Sequence, residues 1–234
     1  MKICLAQTKS FKEKVDLNIQ NHHRLIRSAI ESQADLIIFP ELSITGYEPE
    51  LAQKFATPID DPIFESFQKL STENNITIGI GMPTIADDGI HISMLIFQPN
   101  QNKITYSKQI LHDDELPYFT CGSEQVFLEI KNLKIALGIC YESLQPEHFL
   151  NAKKEGADIY ISSVAKSQQG IEKANAFFPK ISKEFNIPIL MVNCVGYCDN
   201  FLSVGQSAVW DKGKLIAQLD DSNQGLLFFD TEVV

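Results

Sequence analysis

Several features that would assign a protein to a familiar class are missing from this sequence. No apolar run approaches the roughly 18 residues of a membrane-spanning helix. The N-terminus, MKICLAQTKSFKEK, turns polar after a few residues, which is not typical of a signal peptide. No stretch rich in Ser, Gly or Pro divides the 234 residues into parts. We therefore expect one domain over residues 1–234 with no membrane partner.

Cysteine and positive charge are also scarce. Five cysteines without framework spacing favour free thiols in a reducing compartment, so we expect a cytoplasmic protein. Zinc-site spacing is absent from the Cys194/Cys198 pair and from the five histidines, which include His22 and His23 on a predicted surface helix. We therefore expect the two cysteines to be structural, the histidines to be solvated and no metal to be bound. Thirty acidic residues against twenty basic ones give a net charge of -10, which argues against a nucleic-acid partner.

Hydrophobic periodicity predicts an α/β fold with two similar halves. Each half combines strand–helix–strand units with hairpins, so we expect two mixed sheets packed face to face beneath outer helices. The predicted strands are residues 2–7, 36–39, 76–85, 91–99, 103–110, 125–130, 133–139, 157–164, 188–195, 205–211, 214–220 and 225–233. The predicted helices are 16–32 with Asp16 as its cap, 61–75, 146–155 and approximately 170–186.

Four reactive side chains occur at or after the ends of predicted strands. Cys140 closes the buried run LKIALGI, Glu41 follows a strand in FPELSITGY, Lys108 ends ITYSK, and Glu115 lies in the loop DDELPYFTCG. Ligands of open α/β sheets bind beyond the carboxyl ends of the strands. Each residue alone is more typical of a core cysteine or of a solvated charge. Together, a base, a cation and a thiol are the parts of a nucleophilic site.

Taken in order, these residues resemble the motifs of the nitrilase, or carbon-nitrogen hydrolase, superfamily, in its amidase-like branch. The similar segments are Phe39-Pro40-Glu41 with Thr45-Gly46-Tyr47, Tyr106-Ser107-Lys108, Glu115 with Phe119 and Gly122, Gly138 to Glu142, Val192-Asn193 with Val195-Gly196, and Gly205-x-Ser207. The resemblance implies a four-layer αββα sandwich that pairs into homodimers or higher oligomers through its helices. It also implies a Glu, Lys and Cys triad, a second Glu, and no metal or organic cofactor.

By this resemblance, the protein would cleave a small amide through a Cys140 thioester. Cys140 would attack as a thiolate whose pKa is lowered by Lys108. Glu41 would transfer protons, Lys108 and the backbone N–H of Tyr141 would bind the oxyanion, and Glu115 would orient Lys108. Tyr141 stands where true nitrilases commonly have Trp, which favours amides, such as ω-amides or carbamoyl amides, over nitriles.

The candidate substrate contacts are Tyr47, Glu142, Leu144 and Lys166. Leu144 stands where many relatives that hydrolyse acid-bearing amides have Arg, so a substrate carboxylate would need another anchor. Lys166, after the strand ISSVA, is one candidate, although a lysine at such a position is more commonly solvated. The alternatives are a soluble Cys-dependent N-acyltransferase, a catalytically silent binding or scaffold protein of the same fold, and the glutaminase half of a synthetase, which would need an ammonia-using partner domain.

Overall fold

The computed structural model describes residues 1–232, and most of its strands form two six-stranded sheets. The first sheet contains β1 (Lys2–Gln7), β2 (Leu36–Ile38), β3 (Thr77–Ala86), β4 (Gly89–Phe97), β5 (Ile104–Ser107) and β14 (Gly225–Asp230). The second contains β6 (Phe127–Ile130), β7 (Leu133–Ile139), β8 (Ile159–Val164), β9 (Ile189–Asn193), β12 (Ala208–Asp211) and β13 (Lys214–Gln218). A separate hairpin, which the sequence pattern did not predict, consists of β10 (Val195–Cys198) and β11 (Phe201–Val204).

Both sheets are mixed and have three parallel strands at their centre. The first sheet has the order β14-β1-β2-β3-β4-β5, in which β1, β2 and β3 are parallel and the other pairs are antiparallel. The second has the order β13-β12-β9-β8-β7-β6, in which β7, β8 and β9 are parallel. Because β4 reverses direction after β3 and β5 reverses it again, β5 runs parallel to β2.

The helices are α1 (Val15–Glu31), α2 (Ala52–Phe55), α3 (Glu65–Asn74), α4 (Pro146–Lys154) and α5 (Gln168–Phe185). Single 3₁₀ turns occupy Pro49–Leu51, Pro62–Phe64 and Glu142–Leu144. The predicted helices are confirmed, but the assignment of Asp16 as a cap is wrong. The helix begins one residue earlier and Lys14 is its cap residue, which places Asp16 in the first turn, where a carboxylate interacts favourably with the helix dipole.

Three apolar cores separate four layers, and this confirms the αββα sandwich. The core between the sheets includes Leu5 and Leu137. A second core lies between the first sheet and α1 and α3, and a third lies between the second sheet and α4 and α5. In the third core, Phe178 of α5 packs against Trp210 of β12 with ring centroids 5.3 Å apart. Each large side chain buried in this way contributes about 1.5–3 kcal/mol to folding.

The prediction that the histidine pair on α1 is solvated is wrong. His22 is buried, stacks on Phe39 with centroids 4.1 Å apart, and bonds through Nδ1 to the Asn18 carbonyl (2.7 Å) and through Nε2 to Ser43 Oγ (2.9 Å). Burial lowers the pKa of His22 to about 3, so the ring is neutral. His23 is half-buried against Ser66.

The remaining expectations concern the cysteines, the C-terminal strand and the membrane. Cys194 and Cys198 are buried free thiols with their sulfur atoms 3.5 Å apart. The strand predicted over 225–233 is β14, but position 233 lies outside the described residues. Within the described part of the chain, no helix is long and apolar enough to cross a membrane. Pairing into homodimers through the outer helices stays a prediction.

Candidate functional site

The carboxyl ends of strands from both sheets meet at one edge of the sandwich. β2 leads to Glu41 and β5 leads to Lys108, while β7 leads to Cys140 and β8 leads to Lys166. The two sheets are joined at this edge because Ser163 Oγ donates a hydrogen bond to the Phe39 carbonyl across the interface (2.9 Å). Parallel strands in each sheet therefore deliver their terminal side chains to a shared position.

Lys108 lies at the centre of a buried ion cluster. Its ammonium donates to Glu41 Oε1 (2.8 Å) and Glu115 Oε1 (2.6 Å), and all three side chains are inaccessible to solvent or nearly so. Burial opposes the charged form of Lys108, but the carboxylates of Glu41 and Glu115 outweigh it and raise the lysine pKa above its ordinary value. Glu115 is fixed further by the Tyr47 hydroxyl (2.9 Å) and the His112 backbone N–H (2.8 Å). Lys108 is consequently a permanent, immobile cation.

Glu41 reaches the cluster because the turn that carries it lies directly on β3. Gly81 accepts from the Ile44 backbone N–H (3.0 Å), and its own N–H donates to Ser43 Oγ (3.2 Å). A Cβ at Gly81 would lie 2.3–2.9 Å from backbone atoms of residues 40–42, so only glycine fits. Gly81 is a positioning residue that the sequence reasoning missed, since a glycine in a strand does not by itself show which segment approaches it.

The free oxygen of Glu41 is suited to proton transfer. Oε2 is buried and, within residues 1–232, has no hydrogen-bond partner. Burial raises the pKa of Glu41 above its ordinary value, while Lys108 and Cys140 oppose that change. A carboxylate with a raised pKa and an unoccupied lone pair can accept a proton from a neighbouring group and return it.

Cys140 sits on a strained turn at the end of β7. Its φ is +51°, in the left-handed region that side chains other than glycine rarely adopt. The backbone N–H of Cys140 donates to the Ser163 carbonyl (2.9 Å) and its thiol donates to the Ala165 carbonyl (3.7 Å). Lys166 Nζ lies 3.7 Å from the sulfur. The turn thus aims the half-buried thiol between the two sheets.

The expectation that Lys108 lowers the pKa of Cys140 below its ordinary value does not agree with the structure. Burial and the charge of Glu41 raise the pKa of Cys140 to about 11, even though Lys166 and Lys108 act in the opposite direction. Lys108 is already compensated by two carboxylates, so its effect on the thiol is limited. Cys140 is therefore protonated at neutral pH and needs a base when it reacts.

Tyr141 offers a backbone donor beside the sulfur. Within the described residues, its N–H has no protein acceptor. The side chain of Tyr141 is exposed and makes an edge-on contact with the His112 ring, with centroids 5.0 Å apart. A free N–H next to a nucleophile is the geometry of an oxyanion hole.

Glu142, one of the candidate substrate contacts, is fully buried and does not line the cavity beside Cys140. Its carboxylate is buried behind the turn and accepts from the Ile139 N–H (2.6 Å), the Tyr106 hydroxyl (2.6 Å) and the N–H groups of Gln109 (2.6 Å) and Ile110 (3.2 Å). Burial raises the pKa of Glu142 to about 7, although these bonds oppose the shift. Glu142 ties the segment after Lys108 to the turn of Cys140 and is a positioning residue.

A hydrogen-bond chain supports Glu142 from behind. The Tyr106 hydroxyl also contacts His148 Nε2 (2.8 Å), and His148 Nδ1 contacts the Tyr160 hydroxyl (2.8 Å). Burial lowers the pKa of His148 to about 4. Fully paired networks of this kind hold their members in one arrangement. The sequence carries no periodic signal for this network, because its residues come from four separate elements.

The site opens into a cavity of about 490 Å³, the size range of small-molecule sites. Three of the predicted substrate contacts, Tyr47, Leu144 and Lys166, line it, as do Glu115 and Cys140. The other lining residues are His112, Asp114, Tyr141, Gln145, Ala165, Ser167, Gly170, Lys173, Phe177 and Phe201. Within residues 1–232, no group of three or more His, Cys, Asp or Glu could hold a metal ion.

Lys166 differs from the solvated lysine that is common at such positions. Its side chain is only 6% exposed and projects into the cavity, close to the sulfur of Cys140. The sequence pattern could not have predicted this burial, because it depends on how α5 packs and on Asn193 of β9, which lies 27 residues further along the chain.

Known proteins share both the sequence and the architecture. The chain is 27% identical to a probable nitrilase of Schizosaccharomyces pombe over 92% of this chain and 83% of the relative. It is 25% identical to a glutamine-dependent NAD(+) synthetase of Synechocystis over 90% of this chain, but it spans only 43% of that longer protein. A cysteine-to-alanine variant of the amidase from Nesterenkonia sp. AN1, solved in complex with butyramide, superposes with a TM-score of 0.90 at 20% identity, covering 100% of this chain and 91% of the other.

The family model for carbon-nitrogen hydrolases matches residues 2–232, almost the whole chain. With the relatives in sequence and the neighbours in fold, this match shows that the chain belongs to the carbon-nitrogen hydrolase family of the nitrilase superfamily.

Proposed function

We propose that the protein is an amidase that cleaves the carbon–nitrogen bond of a small amide through a thioester on Cys140. The observation that carries the proposal is that strand ends of the two sheets bring together a thiol that lines a small-molecule cavity, an unpartnered carboxylate oxygen and a buried ammonium. Amidase structures among the fold neighbours, two of them with an acetamide moiety on the active-site cysteine, support it.

The first half of the reaction uses Glu41 as a base. As the Cys140 sulfur attacks the amide carbonyl, the thiol proton passes to Glu41 Oε2, which removes the need for a resting thiolate. The third N–H of Lys108 and the Tyr141 backbone N–H stabilise the oxyanion; losing one such donor costs on the order of 3 kcal/mol. Glu41 then returns its proton to the departing nitrogen, and ammonia leaves.

The second half repeats the proton transfers with water. Glu41 takes a proton from a water molecule that attacks the thioester carbonyl. As the second oxyanion collapses, Glu41 gives this proton to the departing Cys140 sulfur, so that the carboxylic acid and the thiol are released. Glu115 does not transfer a proton in this scheme. Instead it holds Lys108 in place, together with Tyr47.

The test is ammonia release from a panel of neutral and acidic amides and a nitrile by wild type and Cys140→Ala. We expect release from at least one amide by wild type only, with the variant folded by circular dichroism and unchanged in thermal midpoint to within a few degrees. A Cys140→Ala variant that retains full activity would rule the mechanism out.

Glutamine hydrolysis is a second candidate, favoured by the sequence similarity to glutamine-dependent NAD(+) synthetases. Adding glutamine to the panel separates the two. Adding hydroxylamine as the acyl acceptor detects the thioester as a hydroxamate and would also reveal transfer to amines. With a physiological amine as acceptor, formation of the N-acyl amine in excess of the acid would favour the acyltransferase alternative.

A further inference from the structure

Lys166 is a buried lysine that forms no ion pair within residues 1–232. Its side chain is 94% buried, and the only polar atom in hydrogen-bond range of Nζ, within residues 1–232, is the thiol sulfur of Cys140 at 3.7 Å. A thiol is a weak acceptor. Burying an ammonium without a partner costs several kcal/mol. A stronger hydrogen-bond acceptor for Lys166 Nζ would therefore have to come from a molecule bound in the cavity.

The acidic residues around the cavity are already paired. Glu115 accepts from Lys108, Tyr47 and the His112 backbone N–H. Asp114 accepts from the His112 ring (2.7 Å). Neither carboxylate forms an ion pair with Lys166, and the third carboxylate of the site, Glu41, pairs with Lys108 (2.8 Å), so the side of Lys166 that faces the cavity is free to pair with a bound anion.

The surrounding chain is built to hold Lys166 in this position. Its backbone N–H donates to Asn193 Oδ1 (2.8 Å), and its carbonyl accepts from Asn193 Nδ2 and Ser203 Oγ (both 3.1 Å). The aliphatic part of the side chain passes over Gly170 of α5, where a Cβ would lie 3.0–3.5 Å from the lysine carbons. Glycine in a helix costs about 1 kcal/mol relative to alanine. Here it leaves room for the lysine.

The position of Nζ limits where an anion could sit. Because Nζ is 3.7 Å from Sγ, a substrate atom that contacts Nζ must be only a few bonds from the carbonyl carbon that Sγ attacks. We propose that Lys166 binds a carboxylate one or two carbons from the scissile carbonyl, so that the enzyme prefers short amides of dicarboxylic acids over neutral amides. This inference rests on the proposed amidase function of Cys140.

The first test measures alkylation of Cys140 and needs no turnover. Iodoacetate and iodoacetamide have nearly the same shape but differ by one carboxylate at the position assigned to the anion. The rate ratio of iodoacetate to iodoacetamide is measured at Cys140 by peptide mass spectrometry, with the exposed Cys121 as internal reference. We expect the ratio at Cys140 to exceed that at Cys121 by tenfold or more, and Lys166→Met to bring the two ratios together.

The matched control is Lys180→Met, which removes the same charge from an exposed position on α5. It should leave the ratio at Cys140 unchanged. If Lys166→Met slows both reagents by the same factor, Lys166 acts on the sulfur alone and the proposal is overturned. An equal ratio at the two cysteines of wild type would overturn it as well.

The second test compares the hydrolysis of malonamate with that of the neutral malonamide. We expect kcat/KM for malonamate to be at least tenfold higher in wild type, and this preference to disappear in folded Lys166→Met. Equal hydrolysis of the two amides would overturn the anion site but leave the amidase function standing. No ammonia from any amide, together with the expected alkylation ratios, would instead refute the amidase function and keep the anion site.

Discussion

The protonation state of Cys140 is the feature of the site that can be tested most sharply. With its pKa raised to about 11, only about one thiol in a thousand is ionised at pH 8, against about a quarter for an ordinary cysteine with a pKa of roughly 8.5. The thiolate fraction therefore differs by about 200-fold. Alkylation of Cys140 by iodoacetamide should keep rising from pH 7 to pH 10 without levelling off near pH 8.5.

Replacing Glu41 by glutamine removes both its negative charge and its ability to carry a proton, and we expect these two losses to have opposite effects on alkylation and on amide turnover. The charge of Glu41 is the largest cause of the raised Cys140 pKa after burial, so Glu41→Gln should lower that pKa. Each unit by which it falls corresponds to about 1.4 kcal/mol and multiplies the thiolate fraction about tenfold. We expect the variant to be alkylated about tenfold faster at pH 8, whereas amide turnover falls by about 10²–10⁴ because the proton carrier is gone.

The assay follows each cysteine by peptide mass spectrometry over pH 6–10 in wild type, Glu41→Gln and Cys140→Ala. Burial slows the access of the reagent at every pH, so the shape of the pH profile decides and not the absolute rate. A wild-type profile that levels off below pH 8.5 would refute the protonated resting state. Slower alkylation in Glu41→Gln would show that the role of Glu41 as a base outweighs the effect of its charge on the Cys140 pKa.

Three further predictions concern residues that support the site. Glu142→Gln should lower the free energy of unfolding by about 1–3 kcal/mol, because an amide N–H₂ then faces a backbone donor; urea denaturation measures this, and an unchanged midpoint contradicts it. Gly81→Ala should reduce ammonia release more than tenfold by displacing the turn of Glu41, whereas Gly225→Ala, where a Cβ meets only ordinary contacts, should not. The pKa of His22 is lowered to about 3, so between pH 6.5 and pH 3 the unfolded chain binds a proton at this residue and the folded chain does not. The free energy of unfolding should therefore fall by up to about 1.4 kcal/mol for each pH unit of acidification in this range. In urea denaturation, His22→Gln should make the free energy of unfolding less steeply dependent on pH.

Local sequence patterns predicted most of the fold. Apolar runs such as Leu133–Ile139 are buried strands because their side chains leave no polar face for solvent. The hairpin of β10 and β11 was missed because its four-residue strands alternate too briefly to distinguish them from a loop. The burial of His22 was missed for a different reason, since Phe39 and Ser43, which cover it, lie on another element.

The sequence by itself determined which reactive residues stand at strand ends. Glu41, Lys108 and Cys140 each follow a predicted strand, and the end of a strand can be read from the neighbouring residues alone. Only the tertiary structure decided what those groups do to one another. The protonation of Cys140 depends on desolvation and on charges from three other segments, and the position of Lys166 depends on Asn193, which is 27 residues away. The periodicity of apolar residues indicates which face of a single element is buried. The pKa of a group instead depends on all the charges around it and on its loss of contact with water, and both are set by residues that are far apart in the chain.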